Sequence, residues 1–256
     1  MPKTNSRTKR PFRIFEAGFG SPSNIIGKAM ASSARGKNRH FTAVEKSSKV
    51  NKFKLWVALK KAGLKTLPGN ITLLEGCAID ALFEVTPKSQ DVIFASYLTN
   101  NLADPELDAM AVGGEKRDFF EGAKRALAKN GRMILLQDLG AHMHYAAIAN
   151  AMGFKIHIIP LSDKVLRKSS GVIRKRSTPL RRKLMLAHYL KDARFKASMP
   201  ARVKGLQDKG LGSKPTDVAR PAVYIFREAP YNKSGLERDI TFMTIFLESY
   251  LGFDSR

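Results

Sequence analysis

The sequence predicts a doubly wound α/β fold built on a parallel sheet, and three observations carry that expectation. Short apolar runs alternate with helix-like stretches of about ten residues from Phe12 to Ile159, the rhythm of a parallel sheet covered by helices on both faces. The first run ends in a Gly-x-Gly turn, Gly18-Phe19-Gly20, which opens a nucleotide-type site when a strand precedes it and a helix follows. An acidic residue, Glu45, closes the second run.

Taken in order, Phe12, Ile14 and Phe15 form a short buried strand. Gly18 and Gly20 leave no side chain between the turn and whatever sits above it. Ser21 or Ser23 caps the following helix, placed at Asn24 to Ser33, whose first N–H groups face an electron-rich ligand. Arg35 to Arg39 is a polar turn. His40 to Val44 is the second strand, and Glu45 at its end suits a ribose diol, one carboxylate accepting from two hydroxyls; a plain surface glutamate is the alternative. Lys49 to Ala62 is a basic amphipathic helix with Phe53, Trp56, Val57 and Leu59 turned inward, so Trp56 belongs to the core.

Asn70 to Leu74 is the third strand. The loop after it, Glu75-Gly76-Cys77-Ala78, is small enough to cover an adenine and offer it a backbone N–H, with Asp80 just beyond. Asp91 to Ser96 is the fourth strand and leads into a polar loop, Tyr97 to Asn101. A helix from Arg117 to Lys129 stops at Asn130-Gly131. Arg132 to Gln137 is the fifth strand, with Asp138 at its exit. His142 to Met152 is a helix stopped by Gly153, and Phe154 to Ile159 is the sixth strand. Residues 164–220 break the rhythm, with helix-like patches such as Leu180 to Leu190 among basic and glycine-rich stretches. Ala222 to Phe226 resumes the sheet as a seventh strand, and Glu237 to Leu251 is an amphipathic C-terminal helix.

Charge is segregated. The 256 residues carry 45 Lys and Arg against 22 Asp and Glu, net +23. Residues 1–40 hold nine basic and one acidic residue, residues 164–220 seventeen and three, and the remainder nineteen and eighteen. A nearly neutral body with two basic segments points to a polyanionic partner, RNA before others. Residues 1–11 are expected to be a basic flexible tail. The body is expected at 12–163 and 221–256, with 164–220 a basic insertion and candidate RNA-binding element. The single cysteine, Cys77, excludes an internal disulfide and suggests a reducing, cytoplasmic setting. No apolar run approaches the length that crosses a bilayer, and the N-terminus lacks the apolar core of a signal peptide.

In this order the parts resemble the class I S-adenosylmethionine-dependent methyltransferases from about Arg13 to Phe226, interrupted by the basic segment. Glu16-Ala17-Gly18-Phe19-Gly20 is similar to that family's acidic-x-Gly-x-Gly motif at the methionine moiety. Glu45 matches the ribose-holding acid, and Gly76-Cys77-Ala78 sits where the family often has Gly-Asp-Ala beside the adenine. Ala128-Lys129-Asn130-Gly131 is similar to its Leu-x-x-Gly-Gly. The resemblance implies a mostly parallel seven-stranded sheet with a reversed final strand. It also implies S-adenosylmethionine as cofactor, held by Glu16, Gly18, Gly20, Glu45, Cys77, Ala78 and Ser96. Pro22 stands where a third glycine often lies. Cys77 replaces the usual acid, so the adenine amino contact is lost or passes to Asp80. A glycine-turn dehydrogenase is the rival, but the third position of its motif would be Ser23.

Methyl transfer from a sulfonium is an in-line displacement in which positioning supplies much of the acceleration; a base is needed only where the acceptor proton must leave early. Candidate catalytic residues are Tyr97, placed to stack on a base, Asn100, placed to read a base edge, and Asp138. The fourth-strand loop lacks the Asn/Asp-Pro-Pro-aromatic signature of base amino methyltransferases, and Cys77 is in the wrong loop for a nucleophile. His142 and His144 are two apart and share no helix face, and no complete metal-ligand set is visible. Arg174-Lys175-Arg176 and Arg181-Arg182-Lys183 are the candidate phosphate contacts. The function expected is methylation of structured RNA, tRNA or rRNA. The alternatives are a protein methyltransferase of the translation machinery and a non-catalytic RNA-binding assembly factor.

Overall fold

The computed structural model describes residues 10–19, 21–45, 52–96, 114–168 and 178–228. Seven strands form one sheet: β1 (Phe12–Ala17), β2 (Arg39–Glu45), β3 (Ile71–Glu75), β4 (Gln90–Ser96), β5 (Leu127–Asp138), β6 (Lys155–Pro160) and β7 (Pro221–Arg227). Their order across the sheet is β3-β2-β1-β4-β5-β7-β6. The pairings among β1 to β5 are parallel. β7 runs antiparallel to both its neighbours, β5 and β6. The doubly wound sheet and its reversed final strand are therefore both present.

The strands form where apolar residues alternate faces, and each face carries a core. On one side Ile14, Phe41, Val92, Phe94 and Ile134 pack under α1 (Pro22–Ala34) and α2 (Lys52–Lys61). On the other, Phe15, Ile93, Met133, Leu135 and Tyr224 pack against α3 (Ala78–Glu84), α4 (Glu115–Ala126) and α5 (His142–Ala151). The second core centres on Phe120, Tyr145, Phe154, Tyr224 and Phe226. Phe120 meets Phe226 edge-on at 5.0 Å and Tyr145 meets Tyr224 at 4.9 Å, the geometry that ring quadrupoles favour.

Two expectations are corrected here. α4 ends at Ala126, and Leu127, with extended torsions, passes directly into β5. Gly131 lies inside β5, where an added Cβ would come within 2.9 Å of the Gln90 carbonyl oxygen. It permits close backbone approach rather than stopping a helix. Trp56 is not in the core: it is 55% exposed, and Phe53 is 68% exposed. α2 seats Leu55, Ala58 and Leu59 on the sheet instead, because that stripe continues into Ala62, Leu64 and Leu67.

The described part of the segment after β6 is helical: α6 (Asp163–Lys168), α7 (Pro179–Tyr189) and α8 (Ala193–Asp208), then a short 3-10 turn at Pro215–Ala219. Thr178 caps α7 and Asp192 caps α8 through their side chains, as these residue types favour. Leu206 of α8 is fully buried in the second core, with Phe195, Met199 and Val203 against it. The segment leaves and rejoins the sheet at one place: Pro160 pairs with Ala222, and the Leu161 N–H donates to the Pro221 carbonyl at 2.9 Å. The expected helix at Glu237 to Leu251 lies outside the described residues. Among the described residues no helix is long and apolar enough to cross a membrane.

Candidate functional site

The strand order reverses between β1 and β4: β2 and β3 lie to one side of β1, and β4 returns on the other. Where connections leave adjacent parallel strands in opposite directions, a crevice opens at their carboxyl ends. At that edge Ala17 pairs in register with Ala95, and both are buried in the second core.

Gly18 continues from β1 with φ of 69°, a region that residues with a Cβ avoid. Its N–H donates to the Val44 carbonyl at 2.9 Å, tying the turn to the end of β2. Gly20 lies outside the described residues. The helix expected from Asn24 begins at Pro22, with Ser21 at the cap position but contributing no side-chain bond. Proline at the first helical position presets φ, which gives Pro22 a physical role where the resemblance would place a glycine.

Glu45 ends β2, nearly buried at 7% exposure, in register with Glu75. Its carbonyl accepts from the Gly76 N–H at 3.0 Å, and Gly76 has φ of 148°. Cys77 is exposed, immediately before α3, whose first residue Ala78 is buried; Asp80 is exposed in its first turn. Ser96, half-buried, is the last residue of β4. Tyr97 and Asn100 lie outside the described residues. Glu16 is engaged by Lys28 of α1. It is fully buried, and both carboxylate oxygens accept from the Lys28 ammonium at 2.7 and 2.8 Å. Burial pulls the Lys28 pKa below its usual value, opposed by the charge and hydrogen bond of Glu16.

A second concavity of about 320 Å³ lies at the carboxyl end of β5. Gln137 and Asp138 of β5, Tyr145 of α5, Tyr189 of α7, and Phe195 and Arg202 of α8 line it. Asp138 is nearly buried, at 6% exposure. Its carboxylate accepts from the Tyr189 hydroxyl at 2.5 Å and its carbonyl from the Tyr224 hydroxyl at 2.8 Å. Arg202 stacks over the Phe195 ring at 4.7 Å and donates to the Gly140 carbonyl and to Ser198 Oγ. The β5 exit is thus clamped by α8.

Of the basic clusters, Arg174, Lys175 and Arg176 lie outside the described residues. Arg181 and Lys183 are exposed on α7. Arg182, grouped with them as a phosphate contact, is instead buried, its guanidinium donating to Asp163 at 2.8 Å. Among the described residues no group of three or more His, Cys, Asp or Glu side chains is placed to hold a metal ion. His142 is wholly buried, its Nδ1 3.0 Å from the Leu139 carbonyl.

Sequence reasoning missed Tyr189, Phe195 and Arg202. Two signals pointed to the helices that carry them: Thr178-Pro179 is a cap followed by proline, and Asp192 precedes an apolar-periodic run.

No protein-family model matches the chain, and no curated protein matches it. Among solved structures it is similar to a putative sarcosine dimethylglycine methyltransferase from Galdieria sulphuraria, with 16% identity, 88% of this chain and 80% of that chain covered, and a TM-score of 0.48. It is similar to human methyltransferase-like protein 13, solved in complex with SAH, at 12% identity, 93% and 82% coverage and a TM-score of 0.47. It is also similar to a precorrin 8w decarboxylase from Methanobacterium thermoautotrophicum, at 20% identity, 59% and 68% coverage and a TM-score of 0.39.

Proposed function

We propose that the protein transfers a methyl group from S-adenosylmethionine to structured RNA, tRNA or rRNA. The observation that carries this reading is a convergence on one edge of the sheet. The Gly18 turn, Glu45 and the Gly76-Cys77-Ala78 loop end β1, β2 and β3, and the Asp138 cleft ends β5 on the same edge. Gly18, with Gly20 beside it in sequence, makes room for the methionine moiety. Glu45 accepts from the ribose hydroxyls. Cys77 and Ala78 border the adenine, and Ser96 borders the crevice from β4. Glu16 supports the site by holding α1 on β1 through Lys28.

S-adenosylmethionine supplies an activated methyl group on a sulfonium, so the chain has mainly to position the acceptor and exclude water. Asp138, held by the Tyr189 hydroxyl, is the carboxylate best placed to accept a proton from an acceptor in the cleft. Support for RNA as the acceptor is the segregated charge, including the exposed Arg181 and Lys183 on the helix that also carries Tyr189. Incubation with methyl-labelled S-adenosylmethionine and fractionated total RNA tests the reading, with label expected in one RNA fraction. Label in protein alone overturns the RNA acceptor. RNA binding with no transfer to any fraction overturns the enzyme and leaves an assembly factor.

A further inference from the structure

We infer that α2 carries a stacking platform for an unpaired RNA base, separate from the Asp138 cleft and resting on the RNA reading above. Successive helical residues turn by about 100°, which puts Phe53, Trp56 and Lys60 in one stripe. Leu55, Ala58, Leu59 and Ala62 occupy the opposite side and pack on the sheet. The two rings stack on each other in the open, centroids 6.0 Å apart at 28°, with 68% and 55% of the residues exposed. The Lys60 ammonium lies 5.1 Å from the Trp56 ring centroid.

The surroundings specify what binds there. Lys52, Lys54, Lys60, Lys61 and Lys65 are exposed, and no acidic residue occurs between Lys52 and Leu74. Aromatic faces among lysines bind stacked bases while the cations meet phosphates. Two rings fall far short of the roughly 800 Å² per partner that a stable protein interface buries. A membrane-surface helix immerses its apolar face, and the apolar face of α2 is turned to the sheet. Because α2 follows β2, it starts at the carboxyl edge where Glu45 lies.

Trp56 is the only tryptophan of the chain, so its fluorescence reads this surface alone. In the full-length protein its emission should be that of a water-exposed indole. An oligouridylate of about ten nucleotides, within the usual span of stacking grooves, should quench it. With labelled oligonucleotide, Trp56→Ala and Phe53→Ala should each raise Kd about tenfold and leave the salt slope unchanged, while Lys60→Gln lowers the slope. Circular dichroism and thermal melts confirm folding; both rings are exposed, so the variants should melt like the parent. Emission of a buried indole in the free protein overturns the inference, as does a response to anionic phosphatidylserine vesicles but not to oligonucleotide. Oligonucleotide binding that is unaffected by either aromatic substitution overturns the platform and leaves the RNA reading standing. No binding of oligonucleotide or fractionated RNA by the parent overturns both.

Discussion

Lys28→Met isolates the energetic role of Glu16. The Glu16 and Lys28 side chains are 1% and 5% exposed, and the ammonium contacts both carboxylate oxygens. Removing it leaves a buried carboxylate with no countercharge, which costs about 3–5 kcal/mol. For a chain of this size that lowers the melting temperature on the order of 10 °C. Replacing the pair by apolar side chains of similar volume, Glu16→Leu with Lys28→Met, removes the stranded charge and should recover most of the loss. Urea denaturation of parent, both single variants and the double variant closes a mutant cycle whose coupling reads the pair directly. The double variant should also bind S-adenosylhomocysteine like the parent, because Glu16 is engaged by Lys28 of α1. A loss below about 1 kcal/mol in Lys28→Met, or an equal loss in the double variant, would refute the buried-pair argument. Loss of ligand binding in a folded double variant would place Glu16 at the crevice.

Calorimetry with S-adenosylhomocysteine should show no binding to Gly18→Val, whose side chain is strained at φ of 69°. Glu45→Ala should weaken binding about tenfold or more through lost charge-assisted hydrogen bonds. Burial, then the charges of Lys209 and Arg202, lower the His142 pKa against the opposing Leu139 hydrogen bond. The folded state thus holds the neutral ring, so its stability contribution is full above the unfolded value of about 6.5 and is lost as pH falls below it. His142→Gln should flatten that acid limb in pH-dependent melts. Arg181→Gln with Lys183→Gln should flatten the salt dependence of RNA affinity without changing stability. Arg182→Gln should lower the melting temperature instead, since that buried side chain closes a partly buried contact with Asp163.

The sheet was legible because burial on both faces leaves unbroken apolar runs, and the seven expected strands appear with ends shifted by a few residues. The largest shift, at β5, has a definite cause. Asn130-Gly131 carries the same letters as a helix stop, and only the neighbouring Gln90 carbonyl reveals the glycine as a close approach. α2 was legible as a helix but not in its facing. Phe53-Trp56-Val57 and Leu55-Ala58-Leu59 both have helical spacing, and the choice is decided by Ala62, Leu64 and Leu67, which extend the second stripe past the end of the helix. α8 was hidden by Pro200 and Gly205, residues that argue against helix locally. Gly205 is there because an added Cβ would lie 2.5 Å from His142 Nε2. The crevice was legible from Gly18 and Glu45. The β5 cleft was not, since Asp138, Tyr189 and Arg202 meet only through long-range packing, and Lys28 reaches Glu16 only once the turn has reversed the chain.

The junction at Leu161 and Pro221 bears on how such a protein changes over evolutionary time. Because the chain departs and returns across one hydrogen bond, a flexible loop added between the helices of this excursion costs only logarithmically in its length, about 0.6 kcal/mol per doubling. Residues can be gained or lost there without altering the register of β6 on β7. The wall of the Asp138 cleft is drawn from this excursion, whereas Gly18 and Glu45 are drawn from the frame of the sheet itself. On the proposed reading, in which the Asp138 cleft takes the acceptor, acceptor preference would drift by exchange of one interval of sequence while Gly18 and Glu45 keep their geometry. A chimera that transplants residues 162–220 onto another sheet of this topology should carry acceptor choice with it.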